Sequence, residues 1–518
     1  MRATGAAHKD FTIARIDDRL YGAFLEHLGR AIYSGIYEPD HPSADGNGMR
    51  GDVAQLVRDL NVPIVRYPGG NFVSAYNWED GIGPRAERPT RLDLAWHTSD
   101  SNAVGVHEFA DWCETVGTEM MLAINLGSRG LDEARQFVEY VNGPTGSYWG
   151  DLRAKHGRAA PFGVRHWCLG NEMDGPWQVG HKTADEYGRL ASEVAKTLRA
   201  FDRSLELIVC GSSNADMKTY PEWERIVLDH TYESVDHISL HMYFANRENE
   251  TALAAGAGEE TLARNTANYL ALNEKLDRYI ATVQSTINYT KANKRSKHDV
   301  FISFDEWNVW YHSRQQDRAI LDGNKGWPHA PRLLEDIYNF EDVLQVGCIL
   351  NTFIRHADVV RIACIAQLVN VIAPIMTEPG GDAWRQTIYY PYYFASVFGR
   401  GTALQLQVNA PGYDSLHGDN VPYVDISAVH DAEGGTLTFF AVNRHATEKL
   451  DVKVALQGFE AGTVIDHRVM THADLRATNT LGAQRNVTPR KGRGARVADG
   501  DLRVSMPPYS YQMIRVAV

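Results

Sequence analysis

Eight short apolar runs recur over the first 370 residues, and between several of them lie longer stretches with helical periodicity. The runs are LYGAFLEHLG (20–29), VPIVRYPGG (62–70), MMLAINLGS (120–128), VRHWCLGNE (164–172), LELIVCGSS (205–213), VDHISLHMY (235–243), VFISFDEWN (300–308) and VVRIACIAQLVN (359–370). Eight strands alternating with helices predict an α/β fold, a closed (β/α)8 TIM barrel. The competing open, doubly wound sheet normally has fewer strands and often opens on a glycine-rich phosphate loop. RYPGGN (66–71) is glycine-rich but lacks the GxGxxG spacing, so no dinucleotide site is indicated.

Near residue 381 the texture changes to short alternating segments such as YVDISAVHD, GTLTFFAVNR and LDVKVALQG. Period-two runs at this spacing predict a β-sandwich, jelly-roll-like in arrangement. The expected organisation is a catalytic barrel over 15–380 and a C-terminal sandwich over 381–518, with residues 1–14 adding a strand to it. Residues 477–500 read as a polar loop within the sandwich. One long helix is expected around 262–292.

Charge and cysteine usage narrow the function classes. The net charge of −13 disfavours a nucleic-acid or anionic-membrane partner. No stretch approaches 18 unbroken apolar residues, and the start lacks the apolar core of a secretory signal. The five cysteines include no CxxC pair and read as buried small hydrophobes in a reducing compartment. A cytoplasmic location is therefore expected.

In a barrel of this kind, catalytic groups sit at the C-terminal ends of the strands. Those ends carry Glu26 and His27, then Arg66 and Asn71, Asn171 and Glu172, His241 and Tyr243, Asp305 to Asn308, and finally Gln367 and Asn370. Left without partners, such buried polar groups would cost about 1–3 kcal/mol each. Glu172 and Glu306 stand on the fourth and seventh strands, across the barrel from each other. Two carboxyls converging over the mouth are what glycosidic hydrolysis needs, one to protonate the leaving oxygen and one to attack or to activate water. Strict alternation puts Ile302, Phe304 and Glu306 on one face, and Ser239, His241 and Tyr243 on the lumen face of their strand. Asn171 and Glu172 are adjacent, so both reach the site only if the chain leaves strand geometry there.

The segments LEHLGRAIYSGIYEP, RYPGGNFVSAYNWEDGIGP, LGNEMDGPWQ, FDEWNVWY and IAQLVNVIAPI resemble the bacterial α-L-arabinofuranosidases of glycoside hydrolase family 51. The resemblance covers barrel and sandwich alike. It implies a retaining, exo-acting enzyme that needs no metal or organic cofactor and is often hexameric, acting on arabinose-containing oligosaccharides. By the same resemblance Glu172 matches the acid/base and Glu306 the nucleophile. Glu26, Asn71, Asn171 and Gln367 match groups that bond sugar hydroxyls or the reacting centre, and Tyr243 a residue that holds the nucleophile. Trp96 and Arg66 match groups near the same pocket, and Trp177 and Trp310 are candidate apolar walls. Substrate preference is expected to vary with the loop after Asn77 and with 311–332.

Three rival readings follow from the same residues. The carboxylate pair could cut another bond, such as a β-xyloside or a β-1,4-glucan. The chain could be a non-catalytic carbohydrate-binding protein. His237 and His241 share a strand face and could be metal ligands, but the first strand offers a single His rather than the HxH that such barrel sites generally have. His241 is expected instead to orient a carboxylate or contact sugar, and His237 to pack in the core.

Overall fold

The computed structural model describes residues 1–518 except 324, 325 and 461. All eight apolar runs form strands, which we number β1 (Gly22–Phe24), β2 (Ile64–Tyr67), β3 (Glu119–Ile124), β4 (His166–Leu169), β5 (Glu206–Cys210), β6 (His237–Phe244), β7 (Phe301–Val309) and β8 (Val360–Ala366). They close into one parallel barrel in sequence order, with β8 pairing back onto β1 through Cys364 and Gly22. The expected TIM-barrel class is therefore what the chain adopts.

The alternation of the strands sorts side chains between two cores. Phe24, Ile64, Met121, Ala123, Cys168, Ile208, Ile362 and Cys364 fill the lower lumen. Truncating one of the larger ones, such as Met121→Ala, should cost about 2–5 kcal/mol through lost burial and a residual cavity. The opposite strand faces pack against the surrounding helices. The helix Ala184–Phe201 shows why these segments coil. Thr183 and Glu186 form a reciprocal capping box at its start. Tyr187, Ala191, Val194, Ala195 and Leu198 then recur at three- and four-residue spacing as its buried stripe.

Two expectations about local structure need correction. The long helix around 262–292 is two helices, Glu259–Leu270 and Leu272–Lys294, meeting at Ala271. The polar stretch 477–500 is not all loop, since Arg490–Lys491 and Arg496–Ala498 pair at sheet edges. All five cysteines are buried and unbridged.

The C-terminal part is a sandwich of a five-stranded and a seven-stranded sheet. Leu450, Val452, Val454 and Leu456 point inward on one strand while the residues between them are more exposed. The N-terminus contributes to both sheets, Arg2–His8 to the smaller and Thr12–Arg15 to the larger. The sandwich is joined to the barrel by a buried ionic cluster in which Asp425 accepts from Arg444, Arg355, Asn351 and Asn273. No helix among the described residues is long and apolar enough to cross a membrane.

Candidate active site

The C-terminal mouth of the barrel holds a cavity of about 600 Å³. Glu26, Asn71, Glu172, Tyr243, Glu306 and Gln367 line it, with Trp96, Trp177 and Trp310 among its walls. The three other candidates, Arg66, Asn171 and His241, are not among the lining side chains. They lie buried behind it and hold the lining groups in place.

Glu306 owes its position to an irregularity that strict alternation does not foresee. Ser239 on β6 pairs with Ser303 on β7, but His241 pairs with Glu306, so β7 spends three residues where β6 spends two. This bulge inverts the phase of the strand. Ile302 and Phe304 face the helices, while Glu306 turns into the lumen beside Asp305. The expectation that Ile302, Phe304 and Glu306 share a face is thereby overturned. Alternation resumes beyond it in the inverted phase, with the odd-numbered Trp307 and Val309 in the outer core.

Both oxygens of Glu306 are held. Arg66 Nη1 donates to Oε1 at 2.7 Å and the Tyr243 hydroxyl to Oε2 at 2.8 Å. Arg66 also donates through Nη2 to Asn171 Oδ1 at 2.6 Å, which ties the ends of β2, β4 and β7 together. Burial and the Glu306 charge push the Tyr243 phenol well above its ordinary range, so it stays a donor.

Glu172 reaches the site because the chain leaves strand geometry after Leu169. Gly170 has φ +92° and Glu172 itself has φ +44°, a left-handed conformation that costs a non-glycine residue on the order of 1 kcal/mol or more. Its Oε1 lies 2.9 Å from His241 Nδ1, and the Trp177 indole donates to Oε2 at 2.7 Å. Gly175 makes room for that indole, since a Cβ there would come within 2.5 Å of it. Burial raises the acid range of Glu172, and the Glu306 charge adds to the shift against the opposing pull of His241.

His241 sits between carboxylates. Its Nε2 is 3.0 Å from Asp305, and its Nδ1 is 2.9 Å from Glu172 and 3.5 Å from Glu306. Burial alone would lower its pKa, but these three neighbours outweigh it and raise it to about 10. With carboxylates on both sides, each ring nitrogen carries a proton and donates. Asp305 is the group that the sequence reading left without a role. It is fully buried, accepts from Ser239 at 2.5 Å and lies 3.6 Å from Arg66. Burial would raise its acid range, yet Arg66 and His241 hold it below the ordinary value. His237, by contrast, is far from this cluster in register and lies 3.3 Å from Glu206 at the other end of the barrel.

Glu26 forms the opposite wall. Its Oε1 accepts from the Phe72 backbone at 2.9 Å and from the Trp96 indole at 3.0 Å, and its own N–H donates to Gln367 at 2.8 Å. Gly69, at φ +150°, and Gly70 must be glycine here. A Cβ on either would press into the Glu26 side chain at 2.6 and 2.8 Å. Burial, then the Glu306 charge, lifts the Glu26 carboxyl to about 8.

Glu172, His241 and Glu306 also present ligand-type atoms within 4.8 Å of one another, a spacing a metal ion could use. The donor set argues otherwise. Arg66 and Tyr243 already satisfy both Glu306 oxygens, and the two cations Arg66 and His241 would repel a third. In the 311–332 segment, Arg314 stacks on Trp310 at 4.4 Å beside the cavity, and residues 324 and 325 lie outside the described residues.

Comparison with known proteins agrees with this geometry. Two family models match, the alpha-L-arabinofuranosidase 1 domain over residues 56–252 and the alpha-L-arabinofuranosidase C-terminal domain over 305–510. The chain is 52% identical to an intracellular exo-alpha-(1->5)-L-arabinofuranosidase of Halalkalibacterium halodurans, covering 100% of this chain and 99% of the relative. It is 45% identical to an exo-alpha-(1->6)-L-arabinofuranosidase of Bifidobacterium longum, covering 98% and 96%. Among solved structures, AbfB, a family 51 alpha-L-arabinofuranosidase from Bifidobacterium longum, superposes with a TM-score of 0.93 at 41% identity, over 99% of each chain. A barrel mouth with two facing glutamates, carried on a sequence this similar over its whole length, places the chain among the α-L-arabinofuranosidases of glycoside hydrolase family 51.

Proposed function

We propose that the protein is a retaining, exo-acting α-L-arabinofuranosidase that releases terminal arabinofuranosyl groups from arabinan, arabinoxylan or oligosaccharides derived from them. The observation that carries this reading is the approach of Glu172 and Glu306, whose carboxylate oxygens come within 4.8 Å. Retaining glycosidases keep their carboxyls about 5–5.5 Å apart, whereas inverting ones need about 6.5–9.5 Å to admit a water.

The electrostatics assign the roles. Glu306, its two oxygens oriented by Arg66 and Tyr243, attacks the anomeric carbon. Glu172, which keeps its proton because of burial and the Glu306 charge, gives it to the departing oxygen. Bond formation neutralises Glu306, so the Glu172 pKa falls. The same carboxyl then takes a proton from the incoming water, which releases arabinose with its configuration retained. Glu26, Asn71 and Gln367 would bond the sugar hydroxyls, and a sugar lacking those hydroxyls would leave buried groups unpaired.

The relatives divide between (1->5) and (1->6) in their names, so the preferred linkage is proposed to depend on the outer pocket rather than on the shared carboxylates. An intracellular location is supported by the first of these names. The family resemblance supports a homohexamer, which sedimentation velocity would test.

A panel of nitrophenyl glycosides tests the activity. The α-L-arabinofuranoside should be cleaved at least roughly 100-fold faster than the β-xyloside or β-glucoside, since the rejected sugars leave hydrogen-bonding groups unmet. Glu306→Ala should lower turnover by roughly 10⁴-fold or more while sugar binding persists. A preference for either pyranoside, or an active Glu306→Ala variant, would reject the proposal.

A further inference from the structure

Glu172 hangs between two buried anchors. On its N-terminal side, Asn171 is fixed by Arg66. On its C-terminal side, Asp174 is buried, is not among the cavity-lining residues, and bonds to Ser213 in the loop after β5, which does line the cavity. There it accepts from the Ser213 backbone N–H at 3.1 and 3.2 Å through its two oxygens, and from the Ser213 hydroxyl. The Ser213 loop is itself fixed. The Ser212 N–H donates to buried Glu224 at 2.8 Å, and the Tyr279 hydroxyl donates to the Ser212 carbonyl at 2.7 Å.

The turn between the anchors carries strain. Glu172 holds φ +44°, and its carbonyl accepts from the Gly175 N–H at 2.8 Å, which closes a turn over Met173 and Asp174. A strained non-glycine backbone persists only where its surroundings over-determine it. Asp174 supplies that restraint from a rigid neighbour without touching the cavity. If it were released, the turn would relax, and the Glu172 carboxyl would drift from the line between His241 and the scissile oxygen.

We propose that Asp174 is a positioning residue for proton transfer by Glu172, acting through its clamp on Ser213. This rests on the arabinofuranosidase reading. Its consequence is selective, because only leaving groups that need protonation depend on where the Glu172 proton sits.

The test compares kcat/KM for two aryl α-L-arabinofuranosides, one releasing dinitrophenol, which departs without protonation, and one releasing unsubstituted phenol, which needs it. Asp174→Ala should lose roughly 10–100-fold on the phenyl substrate and stay within about 3-fold on the dinitrophenyl one. Asp174→Asn keeps an acceptor for the Ser213 N–H and should recover part of the phenyl activity. Equal losses on both substrates, or no loss on either, would overturn the proposal. If Asp174→Ala fails to fold, Asp174→Asn decides alone, since a loss confined to the phenyl substrate supports the clamp and an equal or absent loss refutes it. A wild-type protein that cleaves neither arabinofuranoside would instead reject the functional reading beneath it.

Discussion

Asp305 and Glu306 are neighbours on one strand, yet both turn their carboxyls into the barrel, where Asp305 meets His241 at 3.0 Å and Glu306 meets Arg66 at 2.7 Å. The bulge in β7 makes this possible. Two cations, Arg66 and His241, thereby face two anions, and Glu172 is left to keep a proton. The site's division of labour depends on that balance.

Asp305→Asn should upset it. His241 loses the carboxylate at its Nε2, and Arg66 loses a partner. At pH 6 the Asp305 contribution to stability is fully present, because its pKa is depressed and pH 6 lies above the unfolded value. The His241 contribution is also fully present, because its pKa is raised and pH 6 lies below the unfolded value. Thermal unfolding at that pH should therefore show a loss of about 3 kcal/mol, as for a broken buried ion pair. The alkaline limb of kcat/KM should move to lower pH. An unchanged melting temperature and pH profile would contradict the assignment.

Glu26 should make the fold sensitive to alkali. Its carboxyl is raised to about 8 by burial and by Glu306, so its contribution is fully present below about pH 4.5 and lost as pH rises through about 8. Glu26→Gln has no proton to lose and still offers an acceptor to Phe72 and Trp96. Between pH 5 and pH 9 the variant should gain roughly 2–4 kcal/mol relative to wild type. Parallel melting curves across that range would contradict the protonated, buried state.

Metal removal should change nothing. The Glu172, His241 and Glu306 constellation has metal-like spacing, but Arg66 and Tyr243 already occupy the Glu306 oxygens. Activity after dialysis against excess chelator should match that of untreated protein. A loss restored by a divalent cation would overturn this reading of the cluster.

Much of this was legible in the sequence, for physical reasons that particular residues show. Parallel barrel strands are buried on both faces, so each of the eight reads as a near-continuous apolar run, and a charged residue such as Glu172 at its end stands out. The role of Asp305 was not legible, because a bulge is a relation between two strands. Nothing in VFISFDEWN shows that β6 will spend two residues against its three. The helix break at Ala271 was hidden for a similar reason. Its dihedrals, φ −90° and ψ −1°, lie close to helical, and no Gly or Pro marks it. The strands Arg490–Lys491 and Arg496–Ala498 escaped because edge strands carry charged, exposed side chains and so resemble loop. Trp177 is half exposed, and its bond to Glu172 required the fold of the intervening Gly-Pro turn.

The central claim is that Glu172 and Glu306 act on one furanose ring from opposite sides of a covalent intermediate. Proton NMR of the first product released from an aryl α-L-arabinofuranoside, recorded before the anomers equilibrate, tests it most directly. The account predicts that the α-anomer of arabinofuranose appears first. Initial release of the β-anomer would mean a single displacement by water and would contradict it.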